Sequence, residues 1–249
     1  MADRENILVT GGGSGIGRAV AIRMSKQMTV IVADLNEDGA NETVVKIEKA
    51  GGTAYAIKTD VSDSASVREM KDFIAKDIGP VSKAFIGAGI FIRGVVGQIP
   101  EEDWDRMIDI HVKGTLLCAQ AVLPDMVAAG RGAIVTMSSD FAVMAVPGAA
   151  AYMAAKSAIY SLTKVIALEF APNIRANALG PGPIDTPILK SNRTPEEYEK
   201  ALGALAEGLP IGRLGQTEEV AAVADFLLSD RASYMTGQIV HPNGGQLMW

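Results

Sequence analysis

The sequence predicts an α/β fold, a doubly wound parallel sheet with helices on both faces, built as a single domain over residues 1–249. Three observations predict it. Short apolar runs alternate with amphipathic helical runs along the chain, with no hairpin signal between them. A glycine-rich turn, Thr10-Gly11-Gly12-Gly13-Ser14-Gly15-Ile16-Gly17, joins the first apolar run to the first helical one. The 249 residues are 48% hydrophobic, enough to bury a sizeable core, and no repeat, low-complexity tract or linker divides them.

Composition narrows the function classes. A net charge of −6 with no Lys/Arg cluster argues against nucleic acid as a partner. No run of about 18 apolar residues is seen, so no membrane association is expected. The charged start leads straight into a strand, and no signal peptide is expected. The single cysteine, Cys118, lies in an apolar helical pattern and reads as a buried filler, which suits a cytoplasmic protein.

In order, Asn6 to Thr10 is the first strand, and the helix after the glycine turn runs from about Gly15 to Lys26. A turn of this kind lets backbone approach a phosphate, which the helix N-terminus attracts. The next strand, Thr29 to Ala33, ends in Asp34, where a carboxylate would accept hydrogen bonds from an adenosine ribose. Methyltransferases share that arrangement. Helix at Asn41–Ala50, strand at Thr53–Lys58, helix at Ser64–Asp77, strand at Val81–Ala88 and helix at Glu102–Met126 continue the alternation. A strand at Ile134–Met137 then meets Ser138 and Ser139. A Pro/Gly-marked loop, Phe141 to Gly148, leads into a long Ala-rich helix from Ala149 to Phe170. The segment Gly180 to Gly215 is rich in Pro and Gly and contains a helical piece, Pro195 to Glu207. It reads as a substrate-covering flap at about 183–212. A helix at Glu218–Leu228 and a strand at Gln238–His241 close the chain.

Tyr152 and Lys156 lie four apart on the long helix and share a face. A free phenol titrates near ~10, and a nearby ammonium is expected to pull it down toward a useful acid/base range. Ser139, at the mouth of the preceding strand, reaches the same face and can hold a substrate oxygen. A serine nucleophile is disfavoured, since the chain has two His and neither sits in a nucleophile elbow. Alone, Tyr-x-x-x-Lys is more often a surface pair; the glycine turn and Asp34 change that weighting.

Together the glycine turn, Ser139, Tyr152-Met-Ala-Ala-Lys156 and Pro181-Gly182 closely resemble the short-chain dehydrogenase/reductase family in its single-domain, Rossmann-type form. Asp60-Val61, Ile174-Arg-Ala-Asn177, Thr186 and Arg213-Leu-Gly-Gln-Thr-Glu-Glu-Val220 extend the resemblance over nearly the whole chain. The resemblance implies Tyr152 as acid/base, Ser139 as ligand of the substrate oxygen, and Lys156 as the group that tunes Tyr152 and binds the nicotinamide ribose. It places Gly11, Ser14, Gly15, Ile16, Gly17, Asp34, Leu35, Asp60, Val61, Ala88, Gly89, Pro181, Gly182, Ile184 and Thr186 around the cofactor. Asp34, with no basic residue at Ser14, resembles NAD-preferring members. Arg18 reads either as a phosphate contact or as a solvated side chain.

Two positions depart from the family. Ile86-Gly87-Ala88-Gly89 stands where Asn-Asn-Ala-Gly is usual, and His111 stands where an Asn usually holds a relay water. His111 is expected either to take over that relay, titrating near its ordinary value, or simply to pack in the core. His241 is expected to be structural or at a subunit contact. Phe141, Ala142, Val143, Met144 and Val146 are expected to form an apolar substrate wall, with Arg93, Lys190 and Arg193 near an anionic tail. The helices at 102–128 and 149–170 are expected to pair subunits as a homotetramer or homodimer, through Ala119, Ala121, Ala154, Ala155, Ala158 and Ala167.

The favoured expectation is an NAD-dependent oxidoreductase moving hydride between the cofactor and a secondary alcohol or ketone. The alternatives are an NADPH-dependent 3-oxoacyl or sugar-type ketoreductase and a catalytically weakened nucleotide-binding protein.

Overall fold

Ile7, Leu8 and Val9 are fully buried, so the strand that carries them, β1 (Asn6–Thr10), must be covered on both faces. In the computed structural model, which describes residues 4–190 and 194–248, β1 does lie centrally. It pairs with β2 (Thr29–Asp34) on one side and β4 (Val81–Ile86) on the other. The full order of the parallel sheet is β3-β2-β1-β4-β5-β6-β7, with β3 at Thr53–Lys58, β5 at Gly132–Met137, β6 at Ile174–Leu179 and β7 at Ile239–Val240. Strand β3, at an edge, has only Ala54 buried and ends on the exposed Lys58. The order reverses between β1 and β4, which opens a crevice at the C-terminal ends of the strands.

Helices cover both faces. α1 (Gly15–Met24), α2 (Glu37–Lys49) and α9 (Thr217–Leu228) pack a core around Val9, Val32, Phe85 and Val135. α3 (Ser64–Asp77), α5 (Gly114–Ala129) and α6 (Ala150–Glu169) pack the opposite core around Leu8, Ile31, Ile86 and Ile134. Between β6 and α9 lie α7 (Pro187–Lys190) and α8 (Pro195–Glu207). The start of α8 is set locally by a capping box, in which Thr194 accepts from the Glu197 N–H and Glu197 reaches back to the Thr194 N–H.

The structure differs from the sequence expectation at several points. α2 begins at Glu37 rather than Asn41, because the Asn36 side chain accepts the Gly39 N–H at 3.1 Å and two acidic residues fill the first turn. The helix expected over 102–126 is three pieces: α4 (Glu101–Ile108), a π-helical turn at Asp109–Lys113 that contains His111, and α5. Contrary to the expectation of no spanning-length run, the stretch Glu101–Ala129 passes the length and composition test for a membrane-crossing helix. Here its α5 part packs on β4 and α3 as a core helix. Of the alanines expected at a subunit contact, Ala119, Ala121, Ala155 and Ala167 are instead buried within the chain, while Ala154 and Ala158 are half-buried. The apolar side chains left exposed on α5 and α6 are Leu116, Val127, Val165 and Leu168.

The end of β4 is tied to β1 through Thr10, whose carbonyl accepts the Gly87 N–H at 3.2 Å and whose hydroxyl adds two further bonds. Thr10 Oγ1, fully buried, accepts the Gly87 N–H at 3.1 Å and the Ala88 N–H at 3.3 Å. Gly11, at φ 69°, lies so close that a Cβ there would meet Ala88 Cα at 2.9 Å. Thr10→Val keeps the shape and removes the acceptor. Because the Gly87 N–H keeps the Thr10 carbonyl as acceptor, the substitution should cost about 0.5–1.5 kcal/mol in urea unfolding, the net worth of one hydrogen bond. An unchanged midpoint and slope would show that the hydroxyl is not the brace.

Candidate active site

Helix α6 is set against β5 by its sequence spacing. Ala151, Ala155, Ile159 and Ile166 turn inward, so Tyr152 and Lys156 fall together over the end of β5. Three polar contacts fix the register. Thr136 Oγ1 and Thr163 Oγ1 share a hydrogen at 2.7 Å, the Ser138 hydroxyl donates to the Lys156 carbonyl at 2.9 Å, and Lys156 Nζ donates to the Met137 carbonyl at 2.8 Å.

Tyr152 sits in an aromatic frame. Its ring meets the edges of Phe91, His111 and Phe141 at centroid distances of 5.0, 5.6 and 6.0 Å, and Lys156 Nζ lies 5.3 Å from its centre. Ser139 caps the short 3₁₀ turn Asp140–Ala142, its oxygen accepting the Phe141 N–H at 3.2 Å. One lone pair is thereby used, and the hydroxyl directs its hydrogen bond toward Tyr152.

Burial dominates the electrostatics. It pushes the Tyr152 phenol up to about 12, with the Ser139 hydroxyl pulling the other way, and pushes Lys156 down to about 7. The expected depression of Tyr152 by Lys156 is therefore not what this site shows: Lys156 is not among the causes acting on the phenol. His111 is 1% exposed and pushed down to about 3, first by burial and then by Lys156, against an Ile90 backbone hydrogen bond. The expectation that it titrates near its ordinary value is corrected accordingly. Its Nε2 lies 2.8 Å from the Ile90 carbonyl and 3.2 Å from the Ile90 N–H, and its Nδ1 is buried without a hydrogen-bond partner. The tautomer with hydrogen on Nε2 satisfies the closer contact, to the Ile90 carbonyl, and leaves Nδ1 as an unpaired acceptor.

The cofactor side of the crevice has the features a dinucleotide needs. Ser14, the N-cap of α1, makes no side-chain cap, and no acidic residue lies in the first turn, so the helix start is open to an anion. A Cβ at Gly17 would overlap the Gly11 carbonyl oxygen, which is why that turn needs glycine. The two oxygens of Asp34 accept the Gly13 N–H at 2.8 Å and the Asn36 N–H at 2.9 Å, which fixes the carboxylate while leaving a lone pair on each. Asp60 accepts the Ser62 N–H at 2.9 Å and the Ser62 hydroxyl at 2.6 Å. Arg18 is not simply solvated. It braces the turn, bonding the Gly13 and Gly39 carbonyls, Thr43 and Glu42.

One cavity of about 870 Å³ gathers all of these residues. Ser139, Tyr152, Lys156 and His111 line it. So do Gly11, Ser14, Gly15, Ile16, Gly17, Asp34, Leu35, Asp60, Val61, Ala88, Gly89, Pro181, Gly182, Ile184 and Thr186. Of the expected apolar wall, Phe141 and Val146 line it; Ala142, Val143 and Met144 do not, because the 3₁₀ turn carries them away. Ile188, Leu189 and Leu205 supply apolar lining from the 183–212 segment. Arg93 lines the cavity; Arg193 and the side chain of Lys190 lie outside the described residues. The sequence reading missed Asn36, Thr59, Phe91 and Gln246 in the lining, and only Asn36, as a cap residue, carried a readable signal.

A family model described as enoyl-(acyl carrier protein) reductase matches residues 11–246. The cyclohexanol dehydrogenase of Acinetobacter sp. is 38% identical, over 92% of this chain and 90% of its own. The 3-oxoacyl-(acyl carrier protein) reductase FabG of Thermotoga maritima is 35% identical, over 96% of both chains. The structure of a gluconate 5-dehydrogenase from Burkholderia cenocepacia, solved with NADP and tartrate, superposes with a TM-score of 0.90 at 30% identity, covering 98% of this chain and 95% of that one. With matches over nearly its full length and this site at the switch point of its sheet, the chain belongs to the short-chain dehydrogenase/reductase family of oxidoreductases.

Proposed function

We propose that this protein is an NAD-linked dehydrogenase/reductase of a secondary alcohol or ketone with an apolar body. The observation that carries the reading is the convergence of Ser139, Tyr152 and Lys156 with the glycine turn and Asp34 in one cavity. A nicotinamide cofactor supplies or accepts the hydride. The residues handle the rest. Ser139, beside Tyr152, donates to the substrate oxygen and holds it there. Tyr152 retains its proton at neutral pH and gives it to the carbonyl oxygen as that oxygen gains charge. Lys156, near 7, is an even carrier of protons around neutrality and a donor toward ribose hydroxyls. Phe91, Phe141, Val146, Leu189 and Leu205 favour a ring or acyl body over a free sugar.

The choice of NAD rests on Asp34. Its fixed carboxylate offers a free lone pair on each oxygen to ribose hydroxyls, and would face the 2′-phosphate of NADP with like charge. The NADP in the gluconate 5-dehydrogenase relative makes NADP the second reading. kcat/KM with NAD⁺ should exceed that with NADP⁺ by at least about ten-fold, the equivalent of about 1.4 kcal/mol. Equal values assign the cofactor to the second reading.

Tyr152→Phe should lower turnover by about 10²–10⁴-fold while NADH affinity, followed by fluorescence titration, stays within a few-fold. Lys156→Ala should lose both. Turnover close to wild type in the Phe variant would move the acid/base elsewhere and favour a binding protein.

For His111 the sign follows from burial. Between about 6.5 and about 3 the unfolded imidazole binds a proton that the folded one refuses. Stability is therefore full above 6.5 and lost progressively as pH falls toward 3. His111→Asn should flatten that acid-side decline in melting temperature. The acid-side ionisations of kcat/KM between about pH 5 and 8 should all remain, because the wild-type ring is neutral there. Loss of one of them in the Asn variant would show that His111 titrates in the working range.

A further inference from the structure

Asp140 follows Ser139 directly, has no solvent exposure, and has no part in the chemistry described above. Burial raises the pKa of its carboxyl, and His241 opposes that shift. Oδ1 of Asp140 lies 2.5 Å from Nδ1 of His241, whose side chain is 9% exposed. The same Nδ1 lies 3.0 Å from the Gly180 carbonyl. Two acceptors on one ring nitrogen require that nitrogen to carry the hydrogen, so His241 donates to the carboxylate. The ring has no room to turn: a Cβ on Gly180 would already lie 2.6 Å from it.

The backbone on either side is tied to the same strand exit. The Ser138 N–H donates to the Leu179 carbonyl at 2.7 Å, and the Asp140 N–H donates to the Pro181 carbonyl at 3.1 Å. Ser139 thus sits between two main-chain anchors, and the side chain that follows it is locked to a histidine 101 positions later. A carboxylate buried this deeply is tolerated only when paired, and breaking one partner leaves an uncompensated charge. The turn would then have to rearrange to reach water, and it carries the Ser139 oxygen with it.

We infer that Asp140 and His241 are a positioning pair that sets the direction of the Ser139 hydroxyl, and through it the placement of the substrate oxygen. The inference rests on the reading of Ser139 as the ligand of that oxygen. Neither residue touches the reacting atoms; both act through Ser139.

The test uses two substitutions of similar size and polarity. His241→Asn places an amide nitrogen where Nδ1 sits and keeps the donor to Asp140. His241→Gln places it where Nε2 sits and removes that donor. With NAD⁺ and cyclohexanol, or whichever alcohol of a panel the wild type turns over, the Asn variant should keep kcat within about three-fold. The Gln variant should lose about ten- to a hundred-fold, the scale on which misplacement of a reacting group by about an ångström acts. NADH affinity should be unchanged in both. In a Ser139→Ala background, His241→Gln should cost nothing further, since the group it positions is gone.

Equal kcat in the Asn and Gln variants, with Ser139→Ala impaired, overturns the positioning pair and leaves the proposed function standing. A further loss for Gln in the Ser139→Ala background does the same. Wild-type turnover in Ser139→Ala overturns the reading of Ser139 and this inference with it.

Discussion

The register of helix α6 on strand β5 is the constraint from which the site follows. Tyr152 and Lys156 are one turn apart, so any slip of the helix by a residue would swing both off the end of the strand. Hydrophobic packing alone would not forbid that slip, because the buried face of α6 is largely alanine and offers little shape to lock. The polar seam forbids it. Thr136 with Thr163, Ser138 with the Lys156 carbonyl, and Lys156 Nζ with the Met137 carbonyl are satisfied only in one register. A slip would strand these groups in a dry interior at a cost far above that of an apolar mismatch. The seam also draws the Lys156 amine beneath the Tyr152 ring, so the bonds that align the helix also place the proton-handling pair.

Water exclusion is the common cause behind three perturbed groups. Tyr152 lies against both Lys156 and His111, and burial drives each of the three toward its neutral form: the phenol up, the amine and the imidazole down. Lys156 also lowers His111 directly, so two potential cations compete within one dry site and the imidazole yields. The site therefore holds its protons on Tyr152 and, near neutrality, on Lys156, with His111 as a fixed neutral ring. A charge that develops on the substrate oxygen meets donors already aimed at it and little water to reorganise.

Much of this was legible in the chain. The alternation of apolar and helical runs gave the sheet and its layers, because buried parallel strands and their crossover helices leave strong local patterns. The glycine turn, Asp34 and the Ser139, Tyr152, Lys156 spacing gave the cavity lining, because each is fixed by chemistry over a short range. What escaped depended on geometry without a local signature. The π turn at Asp109–Lys113 adds a fraction of a turn that no periodicity count resolves, and Ala142 to Met144 leave the wall because a 3₁₀ turn redirects them. The tie between Asp140 and His241 joins residues 101 positions apart in the chain. The direction of the Tyr152 shift was misjudged because a spacing names the neighbour but not the depth of burial, and here depth outweighs neighbour.

The two positions that depart from the family pattern show how the site keeps its form. Where paired asparagines are usual, Ile86 and Gly87 stand instead, and the backbone there is held by Thr10 on β1, whose hydroxyl accepts the Gly87 and Ala88 N–H groups. At His111 a larger ring replaces a small amide, and it stands face to edge with Tyr152 while leaning on Gly89, where any Cβ would collide with it. The glycine in Ile86-Gly87-Ala88-Gly89 thus makes room for the imidazole, and the imidazole, bonded to the Ile90 backbone, fixes the loop that carries Phe91 over Tyr152. A ring at 111 requires no side chain at 89, where this chain keeps the glycine of the family pattern, and the loop between them is held by the ring itself.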